Sequence, residues 1–151
     1  MQIGVISDTH GLLRPEALDT LRESDRIVHA GDVGDKAILD ALRAIAPVTA
    51  VRGNVDRGDL AALLPATATL DADGVLIYVH HGHDWSRGTP PAGARVVISG
   101  HTHVPEIEEA GGVLYLNPGS AGPRRFDLPV TVAILTVDGN GPRARIVPIL
   151  P

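Results

Sequence analysis

Short apolar runs alternate with amphipathic stretches through the first half of the chain. Met1 to Ser7, MQIGVIS, reads as a buried strand. In RPEALDTLRES, Pro15 suits a first helical turn and Ala17, Leu18 and Leu21 share one face, so a helix is expected there. RIVHAGD, from Arg26, returns to strand. Ile38, Leu39, Leu42 and Ile45 then recur at helical spacing in DKAILDALRAIA, a pattern that stops ahead of Pro47, whose ring disfavours helical backbone just before it. PVTAVRGN supplies a third strand, giving the order β-α-β-α-β, and DLAALLP one further short helix.

Beyond that point the period changes to that of hairpins. ATATLDADGVLIYVHH sets Asp73-Gly74 between two β-rich runs, VPEIEEAGGVLYLN turns at Gly111-Gly112, and PVTVAILTVDGNGPRARIVPIL turns at DGNG. The C-terminal half is therefore expected to be largely antiparallel. No linker separates the halves and no repeat is visible, so residues 1–151 read as one domain. Both kinds of strand are buried if two sheets face each other with helices outside. The expected fold is α+β (mixed α/β), a four-layer α/β/β/α sandwich of two mixed β-sheets flanked by helices.

Composition narrows the function classes. With 44% hydrophobic and 21% charged residues the chain can offset the entropy of folding. Only Trp85, Tyr78, Tyr115 and Phe126 are aromatic, which argues against a base-stacking surface, and a net charge of −5 opposes extended nucleic-acid binding. The scattered Arg14, Arg57, Arg87, Arg124 and Arg125 make a poor basic track. The apolar start is too short for a signal-peptide core and no membrane-length apolar run occurs, so a cytoplasmic chain with no membrane partner is expected. Without cysteine, any metal must be held by His, Asp, Glu or Asn.

The polar residues that call for explanation sit just past the ends of the apolar runs: ISDTHG, HAGDVGD, VRGNVDRG, YVHHGH and ISGHTH. Strand ends of α/β sheets gather along one edge, where ligand crevices form. Asp8 and His10 are two apart, as are His101 and His103, and in locally extended backbone such side chains point the same way. Gly31, Gly53 and Gly100 immediately precede Asp32, Asn54 and His101, where a crowded site demands close backbone approach.

In that order the clusters DxH, GD, GNxD, HHGH and GHTH resemble the motifs of the calcineurin-like metallophosphoesterases, most closely the small bacterial and archaeal phosphodiesterases of that superfamily. The likeness extends through NPGS, Asn117 to Ser120, to Pro123 and Arg124. It implies one metal held by Asp8, His10, Asp32 and His103, and a second by Asp32 as a bridge with Asn54, His81 and His101. It further implies in-line hydrolysis of phosphodiesters by a metal-bridging hydroxide. Two divalent ions are thus the expected cofactors, manganese first, with iron, zinc or nickel as alternatives. Against two divalent cations, the carboxylates of Asp8 and Asp32 and one hydroxide leave the site at about +1, enough to attract a small phosphoester in an acidic protein.

Larger phosphatases of the superfamily carry a histidine after the motif asparagine, and here Val55 stands in its place and cannot transfer a proton. Asp56 and His83 are candidates to substitute as catalytic groups beside Asn54, and Arg124 joins Asn54 as a candidate substrate contact. His29 reads as a hydrogen-bonded structural histidine, and the HG pattern favours His81 over His80 as ligand. A non-catalytic protein-interaction scaffold of the same fold, as in the retromer subunit, is the alternative function; the apolar strand faces leave a homo-oligomer open.

Overall fold

The computed structural model describes all 151 residues. The chain opens with β1 (Gln2–Ile6), α1 (Pro15–Leu21), β2 (Arg26–His29), α2 (Lys36–Arg43) and β3 (Val48–Ala50), the order its periodicity predicts. Pro15 occupies the first turn of α1, where a missing N–H costs nothing, and the Asp35 carboxylate caps α2 by accepting from the Ala37 amide. α3 (Gly58–Leu63) follows, then β4 (Thr67–Ala72), β5 (Val75–His80), β6 (Ala94–Ile98), β7 (Glu106–Ala110), β8 (Val113–Asn117), β9 (Thr131–Asp138) and β10 (Gly141–Pro148). All three expected hairpins form. At Asp73-Gly74 and Gly111-Gly112 both central residues have positive φ, the requirement of a tight two-residue hairpin turn.

The strands form two five-stranded sheets, ordered β10-β9-β1-β2-β3 and β4-β5-β6-β8-β7. Both sheets are mixed, as expected, and two pairings in particular make them so. β9 runs antiparallel beside β1, so the last hairpin extends the N-terminal sheet. β6 pairs parallel with both β5 and β8, because it is reached through the long connection 81–93 and left through the β7 hairpin strand, neither of which forces the chain straight back.

The main core lies between the sheets, where Ile3, Val5 and Val28 meet Ile77, Val96, Ile98 and Leu116. A second core joins the outer face of the first sheet to α1 and α2 through Ile27, Ile134, Leu21 and Leu39. Over the second sheet the outer cover is a 3-10 turn, Trp85–Arg87, in place of a longer helix. The Tyr78 hydroxyl donates to the Arg87 carbonyl at 2.6 Å, above a small cluster of Tyr78, Ala94 and Val97. The sheets join at one edge: His81, just past β5, bonds through Nδ1 to the Ala30 carbonyl just past β2 at 2.8 Å.

Candidate metal centre

The loops after β1 and β2 continue the parallel ladder beyond the strands. The amides of Asp8, His10 and Gly11 donate to the carbonyls of Gly31, Asp32 and Val33 at 3.0, 2.9 and 2.9 Å. The local backbone is not extended, as spacing alone implied. Asp8 (φ 54°), His10 (46°), Asp32 (55°), His101 (72°) and His103 (65°) are all left-handed, and only Asp73 and Phe126 share that state among non-glycine residues. Each such residue costs on the order of 1–3 kcal/mol, and strain of this kind persists where surrounding structure enforces it. Its concentration at five candidate ligands marks the functional edge.

Close packing holds these loops together. A side chain at Gly53 would overlap the Asp32 carboxylate, and one at Gly100 would overlap the Ser7 hydroxyl and crowd the Asp8 carboxylate. Gly31 combines φ +103° with a Cβ position 2.6 Å from His81 Nδ1, so it needs glycine for both conformation and space. His29 is wholly buried: Nδ1 accepts from the Gly31 amide at 3.1 Å and Nε2 faces the Thr9 hydroxyl at 3.0 Å, which donates to the Val33 carbonyl at 2.8 Å. Burial lowers its pKa to about 4, so the ring is neutral, and the structural reading of His29 holds.

Around this frame the donors converge. Asp8 Oδ2 accepts from the Ser7 hydroxyl (2.6 Å) and the His101 amide (3.1 Å), while the buried Oδ1 has no hydrogen-bond donor. Instead Oδ1 faces His103 Nε2 at 3.3 Å and His10 Nε2 at 3.7 Å, and those two nitrogens are 3.3 Å apart. Asp32 Oδ1 accepts from the Val55 amide at 2.9 Å, which leaves Oδ2 free, 3.1 Å from His81 Nε2 and 3.7 Å from His10 Nε2. Asn54 Oδ1 lies 3.0 Å from His81 Nε2 and 3.2 Å from His101 Nδ1.

Proton accounting at His81 shows that these donors call for positive charge among them. A neutral His81 that donates from Nδ1 to the Ala30 carbonyl has only a lone pair on Nε2, and that lone pair points at two oxygens. Lone pairs converging on an undonated buried carboxylate oxygen repel unless positive charge sits among them. Titration behaviour agrees. Burial acts to raise the Asp8 pKa, yet contacts with His10, His103 and Ser7 outweigh it and hold the carboxyl far below its ordinary range. At His81 burial acts downward, and Asp32, Asp8 and the Ala30 carbonyl outweigh it to raise the pKa. Asp8, His10 and His103 form one metal-competent group, and Asp32, His81 and His101 another. The donor set fits divalent cations.

Residues 1–140 match the family model of the calcineurin-like phosphoesterase superfamily domain. The chain belongs to this superfamily. A probable metallophosphoesterase of Methanothermobacter thermautotrophicus is 38% identical over 97% of this chain and 92% of its own. Among solved structures, an archaeal phosphodiesterase superposes with a TM-score of 0.79 at 25% identity, covering 97% of this chain and all of that one. Vps29 of Entamoeba histolytica, complexed with zinc, superposes with a TM-score of 0.75 at 25% identity over 99% of this chain and 100% of its own.

Within this phosphoesterase fold the seven residues expected as ligands do come together, and three other expected site residues fare differently. Asp56 is buried and braces two loops: Oδ1 accepts from the Gly34 amide and Oδ2 from the Gly53 amide, at 3.0 and 2.9 Å. Arg124 is exposed, and its guanidinium donates to the Pro151 backbone oxygen at 2.9 Å. His83 is exposed at the mouth, its ring centroid 5.4 Å from that of His81 and 6.2 Å from that of His101. Sequence reasoning missed the buttresses Ser7 and Thr9, whose one signal was position beside the DxH motif. Ser120, within the NPGS motif, donates its hydroxyl to the Asp8 carbonyl at 3.0 Å. Asn117 holds the last loop by donating to the Gly100 carbonyl at 2.9 Å.

Proposed function

We propose that this metal-dependent phosphoester hydrolase is a phosphodiesterase that works with two divalent ions held side by side, manganese first among the candidates. The observation that carries the reading is the position of Asp32 Oδ2, which faces His10 of one group and His81 of the other while Val55 pins its partner oxygen. One ion would be held by Asp8, His10, Asp32 and His103, the other by Asp32, Asn54, His81 and His101. Bound there, such ions lower the pKa of a water to supply a nucleophile and neutralise charge on the phosphoryl oxygens.

The remaining work falls to the chain itself. Asn54 turns Oδ1 to His81 and His101, leaving its amide nitrogen to donate to a phosphoryl oxygen. His83, at the exposed mouth beside the second group, is the nearest imidazole outside the ligand set able to hand a proton through water to a leaving group. Val55 cannot do so, which favours esters with good leaving groups. A metal titration with bis-p-nitrophenyl phosphate and p-nitrophenyl phosphate tests this: metal-dependent turnover, faster on the diester, is expected. Failure of manganese, iron, zinc and nickel alike to support turnover would overturn it. The likeness to Vps29 supports a second reading, a scaffold, for which the same titration would show metal uptake without turnover.

A further inference from the structure

Two of the four aromatic side chains, Trp85 (95% exposed) and Phe126 (91%), stand almost wholly in water. Neither position is accidental slack. Trp85 opens the 3-10 turn two residues past His83, and that turn is fixed by Asp84, which accepts from Ser86 and Arg87. Phe126 is held in left-handed backbone at φ 52° in the loop that follows Gly122, itself packed against the carbonyls of Asp8 and Thr9. Left-handed backbone is unfavourable for a bulky residue, and here no burial of the ring compensates for it.

Three aliphatic side chains are exposed within two residues of candidate ligands: Leu12 two past His10, Val55 next to Asn54 and Val104 next to His103. Their backbones are anchored by the bonds Leu12 N–H to the Thr9 carbonyl, Val55 N–H to Asp32 and Val104 N–H to the Thr102 hydroxyl. Five of the eight large exposed apolar side chains of the protein thus belong to the loops that carry or flank the donor cluster. Loop cations are mostly committed. Arg14 bonds the Gly122 carbonyl, Arg52 the Ala61 carbonyl, Arg87 the Asp84 carboxylate and Arg124 the Pro151 carbonyl, which leaves Arg57 and Arg125. A substrate arm with further negative charge finds little to meet it here, whereas an uncharged apolar arm finds surface to cover.

Resting on the phosphodiesterase reading, we propose that Leu12, Val55, Trp85, Val104 and Phe126 form an apolar rim that selects phosphodiesters carrying an aryl or alkyl substituent beside the scissile bond. The rim removes apolar surface of substrate and protein from water together, while the ligand cluster takes the single negative charge of the diester.

Two measurements test this. The first compares kcat/KM on bis-p-nitrophenyl phosphate and methyl p-nitrophenyl phosphate, which share a leaving group and differ in the retained arm. Trp85→Ala combined with Phe126→Ala should lower the aryl-to-methyl ratio by about tenfold, because losing apolar contact with the retained arm is worth that order of discrimination. An unchanged ratio, with both substrates falling alike, would overturn the rim. The second uses Trp85, the one tryptophan, as a reporter. Diphenyl phosphate added to the metal-loaded protein should shift its fluorescence to the blue, and dimethyl phosphate should not; silence with diphenyl phosphate would equally overturn the rim. A blue shift in a protein that hydrolyses neither ester would sink the phosphodiesterase reading and leave the rim standing as a binding site.

Discussion

His29 offers a quantitative test of how the ligand loops are braced. Protonation would place a second N–H where Nδ1 now accepts from Gly31, setting donor against donor behind Asp32. Burial lowers the His29 pKa from 6.5 to about 4, the carboxylates of Asp8, Asp56 and Asp32 offsetting this only in part. Between those values the unfolded chain binds more protons than the folded one, so this contribution is complete above pH 6.5 and drains away as pH falls toward 4. One pKa unit corresponds to about 1.4 kcal/mol, so at pH 5 roughly 2 kcal/mol is lost. The assay is urea unfolding of chelator-treated protein at pH 7 and pH 5, for the native chain and for His29→Asn, whose amide oxygen can still accept from Gly31. The native chain should lose about 2 kcal/mol more than the variant over that interval. Equal losses would refute the reasoning, since every other ionisable group is common to both proteins.

Other outcomes follow from the same geometry. Gly53→Ala places a methyl group on the Asp32 carboxylate, so it should destabilise the fold by about 1–3 kcal/mol and reduce bound metal, read by urea unfolding and elemental analysis. Ser7→Ala removes the donor at 2.6 Å from Asp8 Oδ2 and should weaken metal affinity by about 10–100-fold in calorimetric titration while the chain stays folded. Asp32→Asn should lower metal content at both groups, since a neutral amide poorly shares two cations, whereas His103→Ala should lower it chiefly at one; identical stoichiometries in the two variants would contradict the shared role of Asp32.

What could be read before the structure was local in origin. Pro15 and the face of Ile38, Leu39 and Leu42 specify helices, and Asp73-Gly74 and Gly111-Gly112 specify hairpins, because each signal acts within a few residues. The parallel pairing of β6 depends on the path of residues 81–93, for which no short-range pattern speaks. At the site, the motifs named the seven candidate ligands that converge but not their backbone. A spacing of two suits an extended strand, and only the ladder from Asp8, His10 and Gly11 to the loop after β2 shows that the pairs are left-handed. The bracing by Asp56 is hidden from the sequence for a similar reason. Proximity in sequence to Asn54 says nothing of the Gly34 and Gly53 amides that occupy both its oxygens.

The central claim is that two cations share Asp32, and anomalous diffraction from crystals grown with manganese measures it directly. Two peaks are predicted, one among Asp8, His10 and His103 and one among Asn54, His81 and His101, with Asp32 Oδ2 between them and a separation of roughly 3.5–4 Å. A single peak that Asp32 does not touch, or manganese bound only elsewhere on the molecule, would contradict the account.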